Sequence, residues 1–196
     1  MAREIAFFLS VLIWILGILL FNQLKMNFFK FITGSLGLFI ISTIFFINPL
    51  ENILTYLINN VLSFISNISD SFNVIKEYSL VTINAPNGVL TMLINYECSG
   101  IIELLVYSSL IVFFPFISNT RKVYTFIYGN IYIFVANIIR ILFMIFLVNI
   151  FGVQIYNLVH TVFARILFFV LIVALYYKVF TKNQIKNQKV GALANE

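Results

Sequence analysis

The chain of 196 residues contains a single cysteine, Cys98, and a single histidine, His160. One cysteine excludes an internal disulfide and any metal site built from clustered thiolates. One histidine removes the usual zinc constellations, which draw several ligands from His and Cys. There is no His-Glu-x-x-His helix, no pair of glutamates with metal-binding histidines and no Gly-x-Ser-x-Gly elbow, so metal and serine hydrolases are disfavoured. No metal or cofactor is expected, and no nucleic-acid partner. Charge is scarce as well. Only 10% of residues are Asp, Glu, Lys or Arg, while 62% are hydrophobic. Soluble domains carry about a quarter charged and about half apolar residues, so the expected solvent is a lipid bilayer. No repeat or low-complexity linker divides the chain, and no discontinuous inverted halves of the transporter kind are visible.

What is present is a series of long apolar runs. Spans are expected at roughly Ile5–Phe21, Phe28–Ile47, Ile101–Ile117, Val123–Ile150 and Val162–Phe180, against the ~20 residues needed to cross. The fourth is too long for one straight span; it tilts, extends beyond the bilayer, or breaks near Ala136-Asn137. The expected fold class is an all-α polytopic membrane protein, a bundle of about five to six transmembrane helices. A single membrane domain over 1–180 and a basic cytoplasmic tail over 181–196 are the expected organisation. The first apolar run lacks a small-x-small cleavage pattern and reads as a retained helix.

The basic residues set the orientation. Lys25 and Lys30 follow the first span, Arg121 and Lys122 the third, and Lys178, Lys182, Lys186 and Lys189 the last. By the positive-inside rule these loops are cytoplasmic. The region from Asn48 to Cys98 carries Glu51, Asp70, Glu77 and Glu97 against Lys76, and so faces outside. Within it, 50–69 is apolar at helical spacing but interrupted by Asn52, Asn59, Asn60 and Asn67. Burying those amides in lipid is costly, so an amphipathic helix lying in the outer interface is expected. Ser79–Ile83, the turn Asn84-Ala85-Pro86-Asn87-Gly88 and Val89–Tyr96 then read as a short extracytoplasmic hairpin. That hairpin delivers Cys98 to the top of the third span.

Three side chains could carry chemistry at this outer level. Cys98 lies in Asn95-Tyr96-Glu97-Cys98-Ser99-Gly100, at or just before the start of an apolar helix. The positive end of a helix dipole eases ionisation of a thiol, and first-turn N–H groups can receive an oxyanion. Arg140 is embedded in Val135-Ala136-Asn137-Ile138-Ile139-Arg140-Ile141-Leu142. A cation at that depth costs ~2.5 kcal/mol or more, which asks for a role, and Asn137 lies one turn earlier on the same face. His160, ahead of the last span, could take a thiol proton and later protonate a leaving amine. Arg165 shares that end of the chain. Each has a bland alternative: a packed thiol, an Arg140–Glu103 structural pair, an interfacial histidine. Their meeting at one depth favours nucleophile, oxyanion holder and base.

Glu97-Cys98-Ser99-Gly100-Ile101, Ala136-Asn137-Ile138-Ile139-Arg140-Ile141 and His160, in this order on a multi-span scaffold, resemble the exosortase/archaeosortase family. The resemblance covers roughly Val89 to Phe180 and is nearest the compact, type G-like branch found in Gram-positive bacteria. It implies a membrane cysteine transpeptidase or protease in the plasma membrane, multi-pass, with its active site at the extracytoplasmic face. Its substrate would be an exported protein with a C-terminal transmembrane sorting signal. The acyl group would pass through a Cys98 thioester to a cell-surface acceptor, such as a lipid or glycan, or to water. Cys98 would be the nucleophile, Arg140 the transition-state stabiliser and His160 the acid/base, with Asn137, Glu97, Ser99 and Arg165 toward the substrate. The competing class is a non-enzymatic membrane component of a polysaccharide or protein export system, in which Cys98 is unreactive.

Overall fold

The computed structural model describes residues 2–69, 71–182 and 184–185. Asp70 and the tail lysines Lys186 and Lys189 lie outside the described residues, as does most of the 181–196 tail. The helices are α1 (Ala2–Gln23), α2 (Asn27–Ser66), α3 (Tyr96–Ser99), α4 (Ile101–Phe113) and α5 (Asn119–Phe151). A last continuous helix, α6, runs Val153–Thr181. Between α2 and α3 lie three strands, β1 (Phe72–Ile75), β2 (Leu80–Ala85) and β3 (Gly88–Leu93). Among the described residues, four helices are long and apolar enough to cross a membrane: α1, α2, α5 and α6. In a chain that is 62% hydrophobic, these helices make it an all-α polytopic membrane protein.

Large apolar side chains such as Phe8, Ile13, Phe64 and Phe169 are exposed on the helices. No residue of the most apolar stretch of α1 is buried, against 44% of the corresponding stretch of α5. Exposed apolar surface on that scale is stable only where lipid covers it.

The chain divides into two compact units. The first takes the residues up to Asn48, Ile102–Ile131 and the chain from Tyr176 onward. Here α1 ends in a Schellman turn. Lys25 is left-handed at φ 57°, Lys25 N–H donates to Asn22 O and Met26 N–H to Phe21 O, so the last carbonyls of α1 are met. Trp14 Nε1 donates to Thr33 O at 3.1 Å, and its ring lies where a Cβ on Gly37 would stand. Pro115 follows close on the end of α4, as expected for a residue that cannot continue a helix.

The second unit, Pro49–Ile101 and Tyr132–Leu175, contains the sheet. The strands are antiparallel in the order β1-β2-β3, with Val81 opposite Met92 and Ile83 opposite Leu90. Alternation puts Val81 and Ile83 on one face of β2. That face packs with Ile58 and Leu62 of α2 and with Ile141, Met144, Ile145 and Val148 of α5. The expected hairpin over 79–96 is present, its strands joined by Pro86-Asn87. β1 is an additional strand.

One expectation on the helices is corrected. The segment 50–69 is not a separate helix: 50–66 continues the second span as one 40-residue helix with Pro49 inside it, and 67–68 form a turn. Two of the four asparagines that argued against continuation bond to side chains that follow β1. Asn59 Nδ2 donates to Ser79 Oγ at 2.8 Å, and Asn60 Oδ1 accepts from Lys76 Nζ at 3.1 Å. Of the three alternatives for the fourth span, the break at Ala136-Asn137 does not occur: it runs unbroken as α5, 33 residues, and Asn137 makes its side-chain bond to another segment.

Candidate active site

The site lies entirely in the second unit. Cys98 sits on α3, a single turn. Asn95 starts that turn: it is extended, and its Oδ1 accepts from the Glu97 N–H at 3.2 Å. Asn is a favoured residue for this capping geometry. Gly100 ends the turn in the left-handed region, φ 71°, and lets α4 start in a new direction. A Cβ on Gly100 would stand 3.2 Å from Asn137 Cγ, so both conformation and space select glycine. Asn137, fully buried on α5, donates from Nδ2 to the Cys98 carbonyl at 2.9 Å. The thiol-bearing turn is thus held from its front by Asn95 and from behind by Asn137.

His160 lies in Val159–Phe163, a π-helical stretch of α6. Such bulges displace a side chain from regular helical phase and recur at functional sites. Its Nε2 lies 3.6 Å from Cys98 Sγ. Tyr156, one turn earlier, stacks on the imidazole with centroids 5.5 Å apart and planes at 27°, which fixes the ring plane. From α5, one Arg140 N–H donates to the Glu97 carbonyl at 3.1 Å. The guanidinium also lies 4.8 Å from the centroid of the Phe168 ring, a cation–π distance.

Glu97, Cys98, Arg140, His160 and Arg165 line one small cavity of about 20 Å³ together with Ile141, Met144 and Ala164. That volume holds about one water, so a substrate carbonyl has to be met at its mouth, where Glu97 and Arg165 are exposed. Of the seven residues singled out from the sequence, five line this cavity and two do not. Asn137 acts on it through the Cys98 backbone. Ser99, buried, donates from Oγ to Tyr96 O at 2.9 Å and accepts from Ile101 N–H at 3.4 Å. Tyr156 and Phe168 were not singled out. The i, i+4 spacing of Tyr156 and His160 was the available signal, whereas Phe168 is brought in only by packing. Among the described residues, no three His, Cys, Asp or Glu side chains cluster as metal ligands would.

The electrostatics correct the helix-dipole argument. Cys98 stands on its own short turn, and burial pushes its thiol above the ordinary value of 9.0. Arg140 and Arg165 pull it down and Glu97 pushes it up, without overcoming the burial. That burial favours the protonated thiol, and the His160 imidazole stands beside it.

A helical membrane protein with a buried thiol, an imidazole against it and two arginines around it has the parts of a cysteine-type acyl transferase. The family model described as Transmembrane exosortase matches residues 2–177. The chain belongs to that family, whose members are membrane sorting transpeptidases of the cysteine type. No curated protein and no solved structure matches.

Proposed function

We propose that this protein cleaves the C-terminal sorting signal of an exported membrane-anchored protein and transfers the new carboxyl end to a cell-surface acceptor. The observation that carries the reading is the 3.6 Å approach of Cys98 Sγ and His160 Nε2 in a cavity that Arg140 also lines. As Sγ attacks the scissile carbonyl carbon, His160 Nε2 takes the thiol proton. The carbonyl oxygen becomes an oxyanion, and the Arg140 guanidinium beside it stabilises the developing charge in a site of low dielectric. The tetrahedral species collapses to a Cys98 thioester. The C–N bond breaks and the amine leaves with the proton from His160. An acceptor amine or hydroxyl on a lipid or glycan, or water, then attacks the thioester. His160 takes the proton of this nucleophile, and the thiolate leaves and recovers a proton. Asn137 is a positioning residue, fixing the turn that aims the sulfur.

The plasma membrane, with the chemistry at its outer face, is supported by charge. Lys25, Lys30, Arg121, Lys122 and Lys178 all lie outside the Lys- and Arg-poor segment 48–98 that bears Cys98. Membranes carrying Cys98→Ala or Arg140→Ala should retain the protein but leave an exported substrate unprocessed. Mass spectrometry of the wild type should find an acyl adduct on Cys98. Processing retained in Cys98→Ala would remove the nucleophile and return the chain to a non-enzymatic component.

A further inference from the structure

A second cavity, of about 360 Å³, opens in the same unit between α2, the residues following β1 and the end of β3. Its α2 wall includes Thr55 and Asn59, 9% and 4% exposed. Among the described residues, three buried side-chain atoms lack a hydrogen-bond partner, and two of them, Thr55 Oγ1 and Asn59 Oδ1, are on residues that line this cavity. The other end of Asn59 is fixed, Nδ2 donating to Ser79 Oγ at 2.8 Å, so its oxygen is held in place. Orphaned polar groups cost stability, and native proteins rarely keep them without a use.

The missing complement is a hydrogen-bond donor. An amide oxygen only accepts, and a threonine hydroxyl does so readily. Around them the cavity carries Glu51 and Glu77 against Lys76, whose ammonium already donates to Asn60. That balance disfavours an anion. The volume lies at the small end of ligand pockets and suits one or two amino-acid residues better than a glycan chain. Asn95 joins this cavity to the thiol: it lines the wall, and its side chain caps the turn bearing Cys98. Three residues of backbone span at most about 11 Å. A peptide whose carbonyl meets Cys98 therefore reaches the cavity with a residue only a few positions away.

We propose that this cavity is the recognition subsite of the substrate, taking a donor-bearing polar side chain within a few residues of the scissile bond. The proposal rests on the assignment of Cys98 as nucleophile, and its test separates the two. Solubilised full-length protein is treated with alanine-based peptide chloromethyl ketones carrying Gln, norleucine or Glu at one of several positions from the reactive group. The Cys98 thiolate displaces chloride and forms a thioether, counted by mass spectrometry. At one position the Gln probe should react about tenfold faster than its norleucine isostere, the worth of about one hydrogen bond, and the Glu probe slowest. In Asn59→Leu and in Thr55→Val the Gln-to-norleucine ratio should fall to near unity. Unliganded Thr55→Val should melt no lower than wild type, because an orphaned hydroxyl has been removed. A markedly lower melting point would make that hydroxyl structural and overturn the proposal. No Gln preference in wild type, or one that survives in both variants, would also overturn it while leaving the nucleophile standing. Failure of every probe, and of iodoacetamide, to label Cys98 would remove the nucleophile and the subsite with it.

Discussion

Replacing His160 by alanine isolates the step on which the chemistry turns. Burial holds the Cys98 thiol above its ordinary value. At pH 7 even an ordinary thiol is only about 3% ionised, so spontaneous deprotonation supplies little nucleophile. The imidazole at 3.6 Å replaces that rare event with transfer to a positioned base, worth typically ~10²–10⁴ in rate. His160→Ala should therefore slow substrate processing by about 10²–10⁴ at pH 7. The defect should shrink as pH rises, because the variant gains thiolate about tenfold per unit until the thiol titrates, above the ordinary value. The assay is the alkylation rate of Cys98 by a small neutral electrophile in solubilised protein, from pH 6 to 10, with and without His160. Parallel profiles of equal height would show that the imidazole does not serve the sulfur, and the reasoning would fail. A plateau in the variant already at pH 7 would show that the thiol is not raised, and would refute the burial argument.

Arg140→Lys keeps the charge but loses the planar fork that meets the Glu97 carbonyl; cleavage of substrate in membranes should fall by about 10²–10³ with protein abundance unchanged. Asn137→Leu leaves the Cys98 carbonyl without its buried donor, a loss of about 1–3 kcal/mol; both the melting temperature and the alkylation rate of Cys98 should drop. Gly100→Ala places a Cβ in a left-handed residue against Asn137, costing about 1–2 kcal/mol for the backbone alone; thermal unfolding in detergent should register it, and an unchanged transition would contradict the turn geometry.

The legible part of the fold was its hydrophobic content. Spans read as apolar runs reappear as α1, the first part of α2, and the bulk of α5 and α6. Pro86-Asn87-Gly88 between alternating residues signalled the β2–β3 hairpin. The reading failed where polar residues in an apolar helix were weighed without their partners. Asn59 and Asn60 looked like evidence for an interfacial segment, yet Ser79 and Lys76, 20 and 16 residues away, each bond one end of these amides. Cys98, Arg140 and His160 stood out as rare polar side chains in an apolar chain, because lipid makes such residues expensive. Tyr156 and Phe168 did not, because aromatic residues abound here and only packing distinguishes these two.

By itself, the sequence determined that this is a membrane protein and which few side chains could react, since both follow from composition and the cost of polarity in lipid. Tertiary structure alone decided how reactive the sulfur is. Ionisation of Cys98 depends on the density of atoms around it and the distance to charges on α5 and α6. The αL turn at Gly100, the π-helical stretch at His160 and the amide of Asn137 set those distances, from segments tens of residues apart that no local pattern joins.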